Sequence, residues 1–144
     1  RPFMRFRRYS TRVATARDSV LDLMVHDIDL FAWLCAIPVE APLEVLARHI
    51  GEQSIRARVR LGALIAEFES GYGSMPASAR LHVCDGHREQ LLDLRRSTAT
   101  TTGDDALTRQ YQGFRRAILG QASRVASGAD GLVAVTRACQ ILHA

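Results

Sequence analysis

Lysine is absent from this sequence: all nineteen basic residues among its 144 are arginine. Schiff-base chemistry, a phosphate-loop lysine and a lysine general base are therefore excluded from this stretch, because each needs an amine whose pKa can be tuned. The chain also lacks the apolar run of about 18 to 20 residues that a membrane span requires, and no basic-then-apolar start resembles a secretory signal. A soluble, cytoplasmic protein that binds no membrane is the expectation. Cys35, Cys84 and Cys139 are odd in number and far apart, which provides neither a disulfide framework nor a Cys-x-x-Cys knuckle, and reduced core thiols are expected. Gly71-Tyr72-Gly73 follows a strand but does not open a helix, so no glycine-rich phosphate loop is present. The first residue is Arg1, so a lysine required by the chemistry could lie upstream.

What remains is ordinary globular composition at the length of one domain, with 47% apolar and 24% charged residues. The net charge of +4 is mild. The densest basic stretch, Arg5-Phe6-Arg7-Arg8-Tyr9 with Arg12 after it, interleaves aromatics and arginines. An edge strand with its arginines in water, or a strand facing a ligand, accounts for it better than nucleic acid does, since one basic strand is a weak footprint.

Periodicity divides the chain. Phe3 to Tyr9 reads as a strand, and Asp18 or Ser19 offers an N-cap for a largely buried helix from Val20 to Ala36, stopped by Pro38. Ile55, Ala57, Val59 and Leu61 alternate with Arg56, Arg58 and Arg60, the period of a half-buried strand. A two-residue turn at Gly62-Ala63 then sets Leu61 against Leu64, Val59 against Ala66 and Ala57 against Phe68. On the other face Arg58 meets Glu67 and Arg56 meets Glu69. Leu43 to Ile50 is a neighbouring strand, and Ala79 to Cys84 pairs with Arg88 to Leu94 across Asp85-Gly86. A polar surface linker follows from Arg95 to Gly103. Leu107, Tyr111, Phe114, Ile118 and Val125 recur at helical spacing, and a last helix runs from about Asp130 to Leu142. The fold class is α+β: a mostly antiparallel open-faced sheet with helices packed on one face, in a single domain over residues 1–144.

The first helix carries the site signal. At about 100° per residue, Asp18, Asp22, His26, Asp29 and Trp33 fall near one line in an otherwise apolar setting. Buried carboxylates and an imidazole are costly to desolvate unless they bond to one another or to a ligand. Asp22 and His26, at i and i+4, can hydrogen-bond, so that the carboxylate fixes the tautomer and raises the basicity of a general base. A structural ion pair and a metal site on Asp22, His26 and Asp29 are the alternatives. The remaining histidines read as structural.

Ser19-Val20-Leu21-Asp22-Leu23-Met24-Val25-His26-Asp27-Ile28-Asp29-Leu30 resembles the active-site helix of the glucose-fructose oxidoreductase and inositol dehydrogenase family (Gfo/Idh/MocA). Ala57-Arg58-Val59-Arg60-Leu61 with Ala63-Leu64-Ile65-Ala66-Glu67-Phe68-Glu69-Ser70 resembles the central hairpin of that family, with a shorter turn. Ser127-Gly128-Ala129-Asp130-Gly131 resembles the loop that opens its last helix. The resemblance spans nearly the whole chain and implies the C-terminal half of such an enzyme, with a fold like the C-terminal domain of dihydrodipicolinate reductase. An upstream dinucleotide-binding half would hold NAD or NADP and the catalytic lysine.

By that resemblance His26 takes the proton of a sugar or polyol hydroxyl as hydride leaves, and Asp22 orients His26 or the substrate. Asp29 matches a recurrent acid three residues after the histidine, with a structural role or one in support of substrate binding. The wording around His26 looks most like members that oxidise the 3-hydroxyl of UDP-N-acetylglucosamine, and Arg8 and Arg12 suit a diphosphate. A homodimer or homotetramer through the outer sheet face, carrying Arg56, Arg58, Arg60, Glu67 and Glu69, is also expected. The competing expectation is a non-catalytic ligand-binding or dimerisation module that kept the fold without the cofactor half.

Overall fold

The computed structural model describes residues 3–73, 76–95, 106–123 and 125–144. Six strands form one sheet: β1 (Phe3–Ser10), β2 (Leu43–Ile50), β3 (Ser54–Leu61), β4 (Leu64–Tyr72), β5 (Ser78–Cys84) and β6 (Glu89–Asp93). Their order is β2-β3-β4-β1-β5-β6, and only the β1–β4 pair is parallel. A π-helical turn (Val20–Met24) leads into α1 (Val25–Leu34); α2 (Ala106–Ile118) and α3 (Gly128–His143) follow. This is the expected α+β sheet, with α1 and α3 packed on one face. No described helix is long and apolar enough to cross a membrane.

The β3–β4 register is the one required by the alternation, with Leu61 opposite Leu64, Val59 opposite Ala66, Ala57 opposite Phe68, Arg58 opposite Glu67 and Arg56 opposite Glu69. Gly62 takes a φ of +59°, and Ala63 has no positive φ, so only the first turn position is left-handed, as in a type II′ hairpin. Inner-face residues of β1, β3, β4 and β5 meet α1 and α3 in a core containing Phe6, Phe31, Phe68, Ile55, Leu81 and Ile141. Phe6 stacks on Phe68 at 5.2 Å, and Phe31 packs edge-on to both.

Several local expectations change. β1 is an interior strand, between β4 and β5, with Phe6 fully buried on one face and Arg5 and Arg7 on the other. Ser19 stands at the N-cap of the π-helical turn without a capping bond from its side chain, and the reciprocal box ahead of it is made by Thr15 with Asp18. The Thr15 hydroxyl and backbone N–H both bond the Asp18 carboxylate, and Asp18 N–H returns a bond to the hydroxyl. Ser19 lies already in helical geometry, buried, and bonds Ser70 of β4 at 2.8 Å.

The helix does not reach Ala36 as a regular α-helix. Val25 N–H bonds the Val20 carbonyl, five residues back, and this extra residue turns Asp18 roughly a quarter turn from the line of Asp29 and Trp33. It stops at Leu34, before Pro38: Ile37 N–H reaches Ala32 and Ala36 N–H reaches Trp33, a Schellman closure with Ala36 at a φ of +49°. Trp33 and Leu34 are exposed, so the helix is buried on one side only.

Gly120, with a φ of +68°, closes α2 in the same manner, which leaves Val125 outside that helix. Tyr111, Phe114 and Ile118 of α2 are exposed. The last helix begins slightly earlier than the periodicity indicates, capped by Ser127 in a reciprocal box with Asp130. The cysteines are free, as expected, but half-buried at the edge of the core. Residues 96–103 of the expected polar linker lie outside the described residues.

Candidate functional site

The π-helical turn lies over the ends of β1 and β4, and this brings Asp22, Tyr72 and Arg12 together. Asp22 Oδ2 accepts from the Tyr72 hydroxyl at 2.6 Å and from Arg12 Nη1 at 3.4 Å. Tyr72 ends β4 and is buried, whereas Arg12 comes from the exposed loop after β1. Burial, followed by the bond to Asp22, pushes the Tyr72 phenol up to about 12, so it remains a hydrogen-bond donor through the physiological range. His26 is exposed on the next turn. Among the described residues no hydrogen bond joins it to Asp22, whose partners are Tyr72 and Arg12.

The buried acid of this helix is Asp27, which the alignment of charges along the helix does not single out. Its carboxylate is gripped by Arg8 of β1, with Nη2 to Oδ1 at 2.6 Å and Nε to the two oxygens at 3.1 and 3.2 Å. Burial pushes the Asp27 carboxyl up, and the Arg8 guanidinium pulls it back down. The guanidinium fork expected to meet a phosphate is thus engaged by an internal carboxylate. Of the two arginines, Arg12 is the one with an exposed head, its side chain 75% accessible.

Asp29 lies one turn beyond His26 and lines a different feature, an open cleft of about 850 Å³ between α1 and α3. His26, Trp33, Asp130 and Arg137 share that lining. Burial, then the Asp130 charge, raises the Asp29 carboxyl. Arg137 is almost fully buried and donates through Nη2 to the carbonyls of Pro38, Val39 and Ala41. Burial lowers its pKa, and Asp29 opposes that shift. No group of three or more histidine, cysteine, aspartate or glutamate side chains is gathered closely enough for a metal among the described residues, so Asp22, His26 and Asp29 do not form a metal-ligand set.

The structure therefore joins Asp22 to Arg12 and Tyr72, sets His26 and Asp29 together on the lining of the cleft between α1 and α3, and pairs the half-buried Arg8 with Asp27. Tyr72, Asp27 and Arg137 were missed by sequence reasoning. A buried aspartate next to His26 had a signal, since Asp27 falls on the same face as Ile28 and Phe31. The Tyr72 contact spans fifty residues and had none.

The fold recurs in solved dehydrogenases. A UDP-N-acetylglucosamine 3-dehydrogenase from Acidithiobacillus ferrooxidans superposes with a TM-score of 0.71 at 19% identity, over 96% of this chain and 53% of the other. A dehydrogenase from Clostridium difficile gives 0.70 at 10% identity, over 98% and 54%. A Gfo/Idh/MocA family oxidoreductase from Vibrio cholerae gives 0.53 at 9% identity, over 98% and 52%. The chain spans about half the length of each of these proteins. No protein-family model matches the sequence, and no curated protein matches it. The fold is that found in Gfo/Idh/MocA dehydrogenases.

Proposed function

We propose that this chain is the substrate-binding half of an NAD(P)-dependent oxidoreductase acting on a hydroxyl of a sugar, sugar-nucleotide or polyol, with UDP-N-acetylglucosamine oxidised at its 3-hydroxyl as the specific candidate. The observation that carries the reading is the placement of an exposed imidazole, His26, one turn after an anchored carboxylate, Asp22, on a fold shared with dehydrogenases. An imidazole titrates near neutral pH and suits removal of a hydroxyl proton, and a held carboxylate suits acceptance of a neighbouring hydroxyl. Arg12, with its exposed head beside Asp22, suits a phosphate oxygen.

The residues present do not fit a dinucleotide. The chain has no lysine and no Gly-x-Gly-x-x-Gly turn, and its own contribution in this reading is to bind the alcohol and take its proton. NAD or NADP belongs to a nucleotide-binding half of the full-length protein.

The test is reduction of NAD and of NADP by the full-length protein with UDP-N-acetylglucosamine and a panel of polyols. His26→Ala should lower turnover by at least about 100-fold, the scale of general-base catalysis, with an unchanged circular dichroism spectrum. A near-normal rate in that variant places the base elsewhere. No turnover with any substrate, together with retained sugar binding, favours the non-catalytic module.

Association through the outer sheet face belongs to the same proposal. That face carries Arg5 on Glu67, Arg7 and Arg56 on Glu69, and Arg60 on Glu44, while Arg58 and Arg80 have no ion pair among the described residues. Solution scattering of the full-length protein should give a dimer or tetramer, and a monomer at working concentration overturns it.

A further inference from the structure

We propose that Tyr72 is a positioning residue that commits Asp22 to the bound ligand and holds it away from His26. The inference rests on the reading of Asp22 and His26 as the working groups, and it assigns them separate tasks. A carboxylate has two oxygens. In Asp22 both donors, Tyr72 at 2.6 Å and Arg12 at 3.4 Å, converge on Oδ2, and among the described residues no donor reaches Oδ1. With its side chain 44% exposed, Asp22 presents Oδ1 as an acceptor for a ligand hydroxyl.

The two donors are unequal. Tyr72 is fixed at the end of the two central strands: it pairs in register with Ser10 of β1, its N–H bonds the Gln53 carbonyl at 2.8 Å, and only 5% of its surface is exposed. The residue before it must be glycine for the strands to close so tightly. A Cβ at Gly71 would come within 2.7 Å of the Gln53 carbonyl and 2.9 Å of the Tyr9 ring. Arg12 sits on a loop, and its side chain makes a single long contact and is 75% exposed.

A phosphate-bearing ligand can therefore draw Arg12 onto its own oxygens, where a charge-assisted fork is stronger than one 3.4 Å contact. Asp22 does not move when Arg12 leaves, because the phenol still holds it. Without that phenol the carboxylate is free to swing to the imidazole four residues on, the usual pairing on a helix. Tyr72 thus keeps a dyad from forming and preserves two independent groups at the ligand.

The experiment is a histidine-labelled NMR titration of the full-length protein, with the His26 ring assigned by His26→Gln. A nearby carboxylate raises an imidazole pKa, so removing a bonded one lowers it. With Tyr72 present, Asp22→Asn should move the His26 midpoint by less than about 0.3 pH unit; in the Tyr72→Phe background the same change should lower it by about 0.5 unit or more. A fall of about 0.5 unit or more with Tyr72 in place shows the dyad already exists and overturns the proposal, as do equally small shifts in both backgrounds. The first measurement needs only Asp22→Asn, at an exposed site, so the proposal is falsifiable even where Tyr72→Phe folds poorly. This coupling is read without turnover, whereas the dehydrogenase reading fails on the His26→Ala rate, so the two failures are distinguishable.

Discussion

Arg8 and Asp27 lock the sheet to the helix that carries the candidate site: two guanidinium nitrogens of β1 hold both oxygens of a carboxylate that is all but buried, immediately after His26. Replacing Arg8 by methionine leaves that carboxylate unpaired in the interior. The expected loss is about 3 kcal/mol or more, as for a buried ion pair stripped of one partner. Arg8→Met with Asp27→Leu, which removes both charges, should recover much of it. Urea denaturation of the three proteins checks this; equal stability of the single and double variants means that burial of the charge is not what matters.

Ala36 occupies the left-handed position that closes α1, at a φ of +49°. A side chain there costs about 1 kcal/mol relative to glycine. Ala36→Gly should therefore stabilise the protein by up to about 1 kcal/mol and raise its thermal midpoint, despite the added freedom glycine gives the unfolded chain. A lowered midpoint means that the Ala36 methyl contributes packing that outweighs the strain.

Arg137 ties α3 to the loop after α1 through the carbonyls of Pro38, Val39 and Ala41. Arg137→Met keeps the aliphatic stem and removes the donor, for an expected loss of about 1.5 to 3 kcal/mol, the range for hydrogen bonds to a charged group. Hydrogen exchange should quicken in residues 38–41. Unchanged exchange there shows that the loop is held by something else.

Acid should loosen two helix starts and the β5–β6 turn first. The Asp18 and Asp130 carboxyls lie below the usual range because Thr15 and Ser127 donate to them, and Asp85 does so because the N–H groups of His87 and Arg88 bond it. A carboxylate with a depressed folded pKa contributes stability that is fully present above its unfolded value, about 3.9 for aspartate, and is lost as pH falls through the folded value. The denaturation midpoint should therefore decline below about pH 4, and Asp130→Asn should flatten part of that decline. An identical acid limb in wild type and Asp130→Asn removes the α3 cap from the account.

The β3–β4 hairpin is legible in the sequence because its two faces impose one answer. Apolar residues at every second position and arginines between them can pair with the β4 pattern in one register only. That alternation does not reveal where Glu67 places its charge. Arg58 is its register partner, yet the carboxylate bonds Arg5 at 2.8 Å, because β1 runs along its other side and supplies a second arginine. That β1 lies inside the sheet is a matter of strand order, which no local pattern contains.

The candidate site divides in the same way. His26, Asp22, Arg12 and Asp29 stand out from the sequence because charge on or beside an apolar helix is conspicuous, and periodicity alone assigns the two aspartates and the histidine to that helix. Which oxygen of Asp22 meets which donor depends on Tyr72, fifty residues away, and on a π-helical turn that adds one residue to the helix. Arg8, expected at a phosphate, is instead the partner of Asp27, since a buried carboxylate takes the nearest guanidinium. The strands, the hairpin register, the last helix and the residues able to do chemistry all follow from spacing along the chain. Their partners follow from strand order and helix packing, because hydrogen bonds and ion pairs form between groups brought close in space, and spacing along the chain does not encode those distances.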